Sequence, residues 1–391
     1  MSSRPREPTY RGRMRVVSRD ARRRWSLVGT GILVLCLLPA IAASRPAPVQ
    51  HTDPVRLRSL ILGSTARAYQ GYAVSQGAAG LPNLPELTEV SGLLGGTTSI
   101  RAWYASPAAW RVATVAPTGE RDVYRTADGT FMWDFEHNQL TQIVGDPPVR
   151  LPWAADVLPP ELARLVLRGA GPADAVTPLG SRWIAGIAAA GLRLTPADPD
   201  TTVARVDIWA DPRTGLPVQV ELVGRASSVP VFSTRFLDLR QQAPDPAVLV
   251  PARSRAAGFT MTEAGDLASL INATAQVVLP ERLAGRPRVA LRGGITGVAS
   301  YGTGLSAFLV VPVPGRVGYR LLQAARDGGT RVELTGAPSG AEAWELRTSV
   351  VTMLVVRTEV DWQSRRTYLM AGPVRPDLLH RAAGDLLEHA A

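Results

Sequence analysis

The sequence predicts an α+β fold, built from a long antiparallel meander with few helices and a smaller C-terminal unit. Between residues 55 and 250, short runs of alternating apolar and polar residues are separated by turn signals such as Asp128-Gly129. Near the C-terminus the strand pattern returns, framed by two amphipathic stretches, Val317–Arg326 and Arg375–His389. Strands that follow one another, with helices set apart from them, indicate the α+β class.

The N-terminus predicts export or a membrane anchor. Nine arginines lie among the first 24 residues, and an uncharged apolar run, Trp25–Ala43, follows them. The run reaches the roughly 17–25 residues of a membrane-spanning helix. Its Ala40-Ile41-Ala42, however, resembles a signal-peptide cleavage site. The run is therefore a transmembrane anchor or the apolar region of a signal, and in both cases the chain after Ser44 is expected to be extracytoplasmic.

Charge and metal-binding residues exclude several classes of function. The formal net charge is +10, but the first 24 residues carry +7 of it, because their nine arginines face only Glu7 and Asp20. The remaining +3 or so is too little to indicate a nucleic-acid partner. The single cysteine, Cys36, lies in the apolar run, so the exported part has no disulfide. The four histidines lack the spacing of a zinc site, and we predict neither a metal nor a cofactor.

Local patterns predict where the elements lie. Val55–Tyr69 and Glu161–Leu167 have apolar stripes and helix-start signals, whereas Gly77–Gly96 is rich in glycine, proline and leucine and predicts a long loop. Strands are predicted from residue 72, at 100–105, 110–115, 122–125, 130–135, 140–144, 182–186, 191–194, 205–210, 216–223, 232–239, 305–313, 331–334, 345–360 and 367–371.

Large aromatic residues are unusually frequent on the strands of the meander. If the sheet bends around a groove, such rings would line an apolar cavity that suits an alkyl chain. Successive residues of a strand face opposite sides, so not all of the rings can point inward. The candidate groove residues are Trp103, Trp110, Phe131, Trp133, Trp183 and Trp209.

Three carboxylates offer an alternative, catalytic hypothesis. Asp134 and Glu136 follow Trp133 closely, and Asp207 lies on a later strand. A hydrolase would need two of these acids at a defined separation in a cleft. The simpler interpretation is that they occupy the polar face of a hairpin and the end of a strand, so no residue is assigned a catalytic role.

Several short stretches resemble the LolA-type lipoprotein carriers and, more closely, the two-domain RseB/MucB-type periplasmic regulators of envelope-stress sigma factors. The most specific is Asp207-Ile-Trp-Ala-Asp-Pro-Arg-Thr-Gly-Leu-Pro-Val, which is similar to a family pattern of the form x-W-x-D-x-x-T-G-L-P. Together the stretches cover nearly all of residues 54–390. The others are Ala66–Tyr72, Ala105–Val112, Ala127–Phe135, Tyr301–Ser306 and Ala371–Val374.

The resemblance implies an open, strongly curved antiparallel sheet wrapped over helices as an incomplete barrel, and a small C-terminal α+β domain. It also implies a non-catalytic protein that holds a lipid or lipoprotein acyl chain, or a partner's extracytoplasmic segment. The first hypothesis is a membrane-tethered regulator of an anti-sigma factor, and the alternative is a lipid or lipoprotein carrier. The expected organisation is a basic leader (1–24), an anchor or signal (25–43), a linker (44–54), the curved-sheet domain (55–250), a connector (251–288) and the C-terminal domain (289–391).

Overall fold

The chain forms two units, Met1–Pro46 and Ala47–Ala391. In the first unit, helix α1 covers residues 23–33, whereas most of the predicted leader and residues 34–43 of the predicted anchor lie outside the described residues. No helix in the described part of the chain combines the length and the apolar character needed to cross a bilayer. The computed structural model describes residues 23–33, 47–48, 52–78, 88–116, 119–145, 151–251, 258–263, 278–289, 298–313, 315–334, 336–337, 340–358 and 366–390.

The second unit contains a sheet of twelve strands within its described residues. The spatial order is β12-β6-β5-β4-β3-β2-β1-β11-β10-β9-β8-β7, and every pair is antiparallel except β6 with β12. The strands are β1 (Tyr69–Gly77), β2 (Thr97–Ser106), β3 (Ala109–Ala116), β4 (Gly119–Thr126), β5 (Gly129–Asp134), β6 (Gln139–Val144), β7 (Ala175–Ile184), β8 (Ile187–Thr195), β9 (Val203–Ala210), β10 (Pro217–Gly224), β11 (Pro230–Arg240) and β12 (Gly258–Glu263).

This sheet is curved and open. Register shifts interrupt several of its ladders, for example between Tyr72 and Ala73 and between Pro217 and Gln219. Such bulges bend a strand and increase its twist, as a sheet of this many strands requires. The end strands β12 and β7 do not pair with each other, so the sheet is not closed into a barrel. The α+β class and the curved sheet predicted from the sequence are therefore confirmed.

Three helices pack on one face of this sheet: α2 (Pro54–Gly63), α3 (Thr88–Gly95) and α4 (Pro159–Gly169). Asp53 caps α2 by accepting hydrogen bonds from Val55 N and Arg56 N. Proline at the start of α2 and α4 supplies a backbone angle suited to the first helical turn. Buried residues of α2 and α4, such as Leu57 and Leu167, pack against strands β8 to β10.

Helix α2 is shorter than its pattern predicts. It ends at Gly63, a 3-10 turn covers Ser64–Ala66, and Tyr69 already belongs to β1. Tyr69 is buried and stacks on Tyr104 across the ladder, with ring centroids 5.0 Å apart. The predicted helix end is wrong because the pairing of Tyr69 with β2 outweighs its match to the helical stripe.

A second sheet, of eight strands, lies in the C-terminal part of the same unit and begins at Arg282, before the predicted boundary at residue 289. It carries α5 (Gly315–Gly328) and α6 (Pro376–Ala390), close to the two predicted amphipathic helices. The predicted strand 345–360 is a hairpin with a turn after Arg347. The strands are β13 (Arg282–Leu283), β14 (Arg286–Val289), β15 (Ala299–Tyr301), β16 (Phe308–Val313), β17 (Thr330–Val332), β18 (Glu342–Arg347), β19 (Thr352–Thr358) and β20 (Arg366–Gly372).

The loop between β8 and β9 joins the two sheets. The Thr201 hydroxyl donates to Leu305 O at 2.5 Å and to Pro373 O at 3.0 Å. Arg286 on β14 forms ion pairs with Asp198 and Asp200 of this loop. Polar bonds concentrated on one short loop fix the C-terminal sheet against the twelve-stranded sheet.

Candidate functional site

Strand pairing assigns the residues of β2 to β5 to two faces of the large sheet. Ile100, Ala102 and Tyr104 are buried in the cluster that also contains Leu93 of α3. We call the face that carries them the helix-side face. Directly paired residues share a face, so Val123 and Met132, which follow Ala102 across the ladders, lie on it too.

A cavity of about 430 Å³ lies on the helix-side face, between the sheet, α3 and residues 152–154. Its volume is in the range of sites that hold small organic ligands. Its apolar lining includes Leu93, Val123 and Met132, and Thr114 contributes a hydroxyl. The full lining is Gly92, Leu93, Thr97, Thr98, Thr114, Val115, Gly119, Glu120, Arg121, Val123, Met132, Asp134, Glu136, Pro152, Trp153 and Ala154.

Charged side chains contribute to the same lining, and Asp134 is the most constrained of them. Its carboxylate accepts hydrogen bonds from His137 N at 3.1 Å and from Arg121 at 3.4 Å, and lies 3.0 Å from the His137 ring. Burial would raise the pKa of Asp134, but His137 and Arg121 outweigh it and hold that pKa below its usual value. Asp134 is therefore an anion at neutral pH and cannot act as a general acid there.

The three candidate carboxylates do not converge. Asp134 and Glu136 both line the cavity, whereas Asp207 does not. Asp207 is buried and forms a bidentate ion pair with Arg193, with N–O distances of 2.6 and 2.8 Å. Arg205 lies 3.4 Å from the same carboxylate. Asp207 thus has a structural partner on the neighbouring strand. In the described residues no group of three or more histidine, cysteine or acidic side chains could hold a metal ion.

The predicted aromatic residues of β2 to β5 divide between the two faces. Trp110 is paired with Tyr104, so it lies on the helix-side face, and it packs against the cluster that contains Leu93. Trp103, Phe131 and Trp133 fall on the opposite face by the same pairing rule. None of these four residues lines the cavity. A role for them in ligand binding stays a prediction.

Trp183 and Trp209 lie at the other end of the sheet. Trp209 is 1 % exposed, and its indole N–H donates to Gly180 O at 2.9 Å. The guanidinium of Arg182 covers its ring at 3.9 Å from the centroid. Trp183, by contrast, is 51 % exposed near the end of β7. Trp209 is thus a core residue whose indole N–H has a hydrogen-bond partner, and Trp183 lies on the surface.

The face opposite the helices carries an ion pair that packs against aromatic rings. Arg111 lies over the rings of Trp103 and Tyr124, at 4.6 and 5.2 Å from their centroids. Its guanidinium is 2.7 Å from the carboxylate of Asp122, which also accepts a hydrogen bond from the Tyr124 hydroxyl at 2.9 Å. Burial raises the pKa of Asp122 to about 6, against the opposing effects of Arg111 and Tyr124.

This raised pKa predicts how stability changes with pH. Between about pH 6 and the ordinary value of 3.8, the folded protein holds a proton on Asp122 that the unfolded chain has lost. Lowering the pH through this window should therefore increase the free energy of unfolding relative to an Asp122→Asn variant. Urea unfolding of both proteins at about pH 5 and pH 7.5 measures the difference. Identical pH dependence in the two proteins would contradict the prediction.

Of the residues that line the cavity, sequence reasoning singled out Asp134 and Glu136 but none of the apolar ones. Leu93 falls in the stretch predicted to be a loop, although Val90, Leu93 and Leu94 have the spacing of a helical face. Met132 lies between the candidate rings Phe131 and Trp133 and therefore faces away from both. Trp153 lies outside the predicted strands and forms the entry to a 3-10 turn at Ala154–Val157. The spacing of Val90, Leu93 and Leu94 was the one signal that could have indicated α3.

Comparison with known proteins finds similarity in structure only: no protein-family profile and no curated protein matches the chain. The Pseudomonas aeruginosa MucA/MucB complex matches with 17% identity and a TM-score of 0.45, over 84% of this chain and 96% of that chain. MucB in complex with MucA(peri) matches with 17% identity and a TM-score of 0.44, over 85% of this chain and 97% of that chain. A LolA superfamily protein from Nitrosomonas europaea matches with 12% identity and a TM-score of 0.23, over 50% of this chain and 97% of that chain. These structures include the two kinds of protein that the sequence motifs resemble.

Proposed function

We propose that this chain is a non-catalytic, extracytoplasmic binding protein that holds an acyl chain of a lipid or lipoprotein. The observation that supports this most is the cavity on the helix-side face, whose lining includes the apolar side chains of Leu93, Val123 and Met132. Withdrawing apolar surface of a ligand from water there contributes about 25 cal/mol per Å². An alkyl chain needs no reactive group in its site, and Asp134, the cavity carboxylate with the most partners, is held in its charged form.

We further propose that the filled cavity regulates a membrane partner, the extracytoplasmic segment of an anti-sigma factor, as the motif resemblance implies. A ligand can shift the binding of a partner only if it binds the free and the complexed protein with different affinity. The basic leader and the apolar run that follows it would tether the protein beside such a partner. Titration of the candidate segment with and without bound fatty acid tests this coupling. Equal partner affinity in both states would contradict it.

The acyl site is tested by placing a charge inside the cavity. A Met132→Glu variant should bind cis-parinaric acid, a fluorescent long-chain fatty acid, at least tenfold more weakly. The bound alkyl chain would withdraw the new carboxylate from water, which costs more than the roughly 1.4 kcal/mol of a tenfold change. Fluorescence titration measures the affinity. A Thr114→Trp variant, which fills the cavity without adding charge, should weaken binding in the same way.

A matched control places the same charge outside the cavity. Val144 is 46 % exposed at the end of β6 and does not line the cavity. A Val144→Glu variant should bind the fatty acid as the unmodified protein does. Urea unfolding of each variant shows whether it is folded. The proposal fails if the unmodified protein does not bind the probe, or if Met132→Glu and Thr114→Trp, both folded, bind it with unchanged affinity.

A further inference from the structure

A second cavity, of about 520 Å³, opens at the hairpin between β9 and β10. It is separate from the acyl cavity, with which it shares no lining residue. The two lie near opposite ends of β1 and β2, because Ala68 precedes the first residue of β1 whereas Thr97 pairs with Gln76 near its last. The lining consists of Ala66, Arg67, Ala68, Arg213, Thr214, Gln241, Gln242 and Ala243.

The hairpin that forms one wall is the most specific motif of the sequence, Asp211-Pro-Arg-Thr-Gly-Leu. Asp211 is buried, and its carboxylate accepts a hydrogen bond from Arg213 N at 2.9 Å and one from the Gln241 side chain at 2.7 Å. The Thr214 hydroxyl donates to Gln241 Oε1 at 2.8 Å. These bonds occupy both oxygens of Asp211 and fix the turn, while the Arg213 side chain remains 87 % exposed.

The opposite wall is the turn that leads from α2 into β1. Its Thr65 carbonyl accepts a hydrogen bond from the Tyr104 hydroxyl at 2.8 Å, which ties the turn to β2. Arg67 follows and is exposed, and within the described part of the chain its side chain has no hydrogen-bond or ion-pair partner. Gly215 packs directly against Leu60 of α2 and so holds the two walls together.

The charged residues that line this cavity are all basic. Its lining contains two arginines, a hydroxyl and two amides, and none of the eight lining residues is acidic. Arg213 lies 3.7 Å from the buried carboxylate of Asp211, but its guanidinium is 87 % exposed and both Asp211 oxygens already accept other hydrogen bonds, so the guanidinium stays available. Guanidinium groups match phosphate oxygens with paired N–H donors, and the side-chain amide of Gln242 can complete the coordination. We propose that this cavity binds a phosphate group, held mainly by Arg67 and Arg213.

The phosphate can belong to a lipid headgroup or to a small soluble molecule, and the test separates the two sources. The full-length protein is titrated with inorganic phosphate, with glycerol 3-phosphate, and with phosphatidylcholine vesicles that contain or lack phosphatidic acid. We expect an Arg67→Gln/Arg213→Gln variant to bind the phosphate-bearing probes at least tenfold more weakly. Affinity should also fall as the salt concentration rises. The control is Arg235→Gln, an equal loss of charge at an exposed arginine of β11 outside the cavity.

Each outcome decides the proposal. Arginine-dependent binding of the small phosphates supports the site with a soluble ligand. Arginine-dependent binding of only the phosphatidic acid vesicles supports it with a lipid headgroup. The proposal is overturned if no probe binds at low salt, if the double variant binds as Arg235→Gln does, or if acetate competes as well as phosphate. Binding of cis-parinaric acid should be unchanged in the double variant, so this test can fail without affecting the acyl site.

Discussion

Replacing Gly215 by alanine is expected to lower the free energy of unfolding by about 3–5 kcal/mol, one of the largest effects of a single substitution in this chain. Gly215 has φ +72°, a conformation that costs other residues about 1–2 kcal/mol. An added Cβ would also overlap the backbone carbonyl of Leu60 and lie 2.8 Å from its Cβ. The backbone of α2 would have to move away from the hairpin, and urea unfolding measures the loss.

Gly186 provides the matched control. It also lies in a hairpin turn and has φ +77°, but a Cβ added there would meet nothing within 4 Å. Gly186→Ala should therefore cost only the backbone strain, about 1–2 kcal/mol. The difference between the two variants isolates the close approach of Gly215 to α2. Equal losses in the two variants would show that this contact does not stabilise the fold.

The role of this glycine illustrates what the sequence could predict. Residues 211–215 predicted a turn between two strands, and the structure has that turn between β9 and β10. The pattern could not show that the turn packs on α2, because Leu60 is more than 150 residues away in the sequence. Nor could it show that Arg67 and Arg213 line one cavity. Contacts that depend on tertiary packing leave no periodic signal in either segment.

The candidate site shows the same division between local and long-range information. Alternation correctly implied that the rings of the meander could not all share one face. It could not assign the faces, because Trp103 and Trp110 lie on different strands and only the ladder register relates them. The register places Trp110 on the helix-side face with Met132, and Trp103 on the other. Alternation determines which residues of one strand share a face of the sheet. Which face they share with residues of another strand depends on the turns and bulges between the strands.

Breaking the ion pair between the two sheets should cause the second large loss of stability. Arg286 donates to Asp198 at 2.5 and 3.1 Å and to Asp200 at 3.0 Å, and the side chains of Arg286 and Asp198 are less than one quarter exposed. The hydrogen bonds from Arg286 lower the pKa of Asp198 to about 2, against the opposing effect of burial. A shift of this size from 3.8 corresponds to about 2 kcal/mol of stability at neutral pH.

Because Arg286 is the largest cause of this shift, an Arg286→Met variant should lose up to about 2 kcal/mol of the free energy of unfolding at pH 7. Because the pKa of Asp198 is depressed, its contribution is complete above the ordinary value of 3.8 and disappears as the pH falls through about 2. A double-mutant cycle with Asp198→Asn measures the coupling of the pair directly. Arg375→Met is the control, because its ion pair with Asp377 is 3.8 Å long and exposed, and its removal should cost under about 1 kcal/mol. Equal losses for the two arginine variants, or a cycle with no coupling energy, would show that the contact of Arg286 with Asp198 does not hold the sheets together.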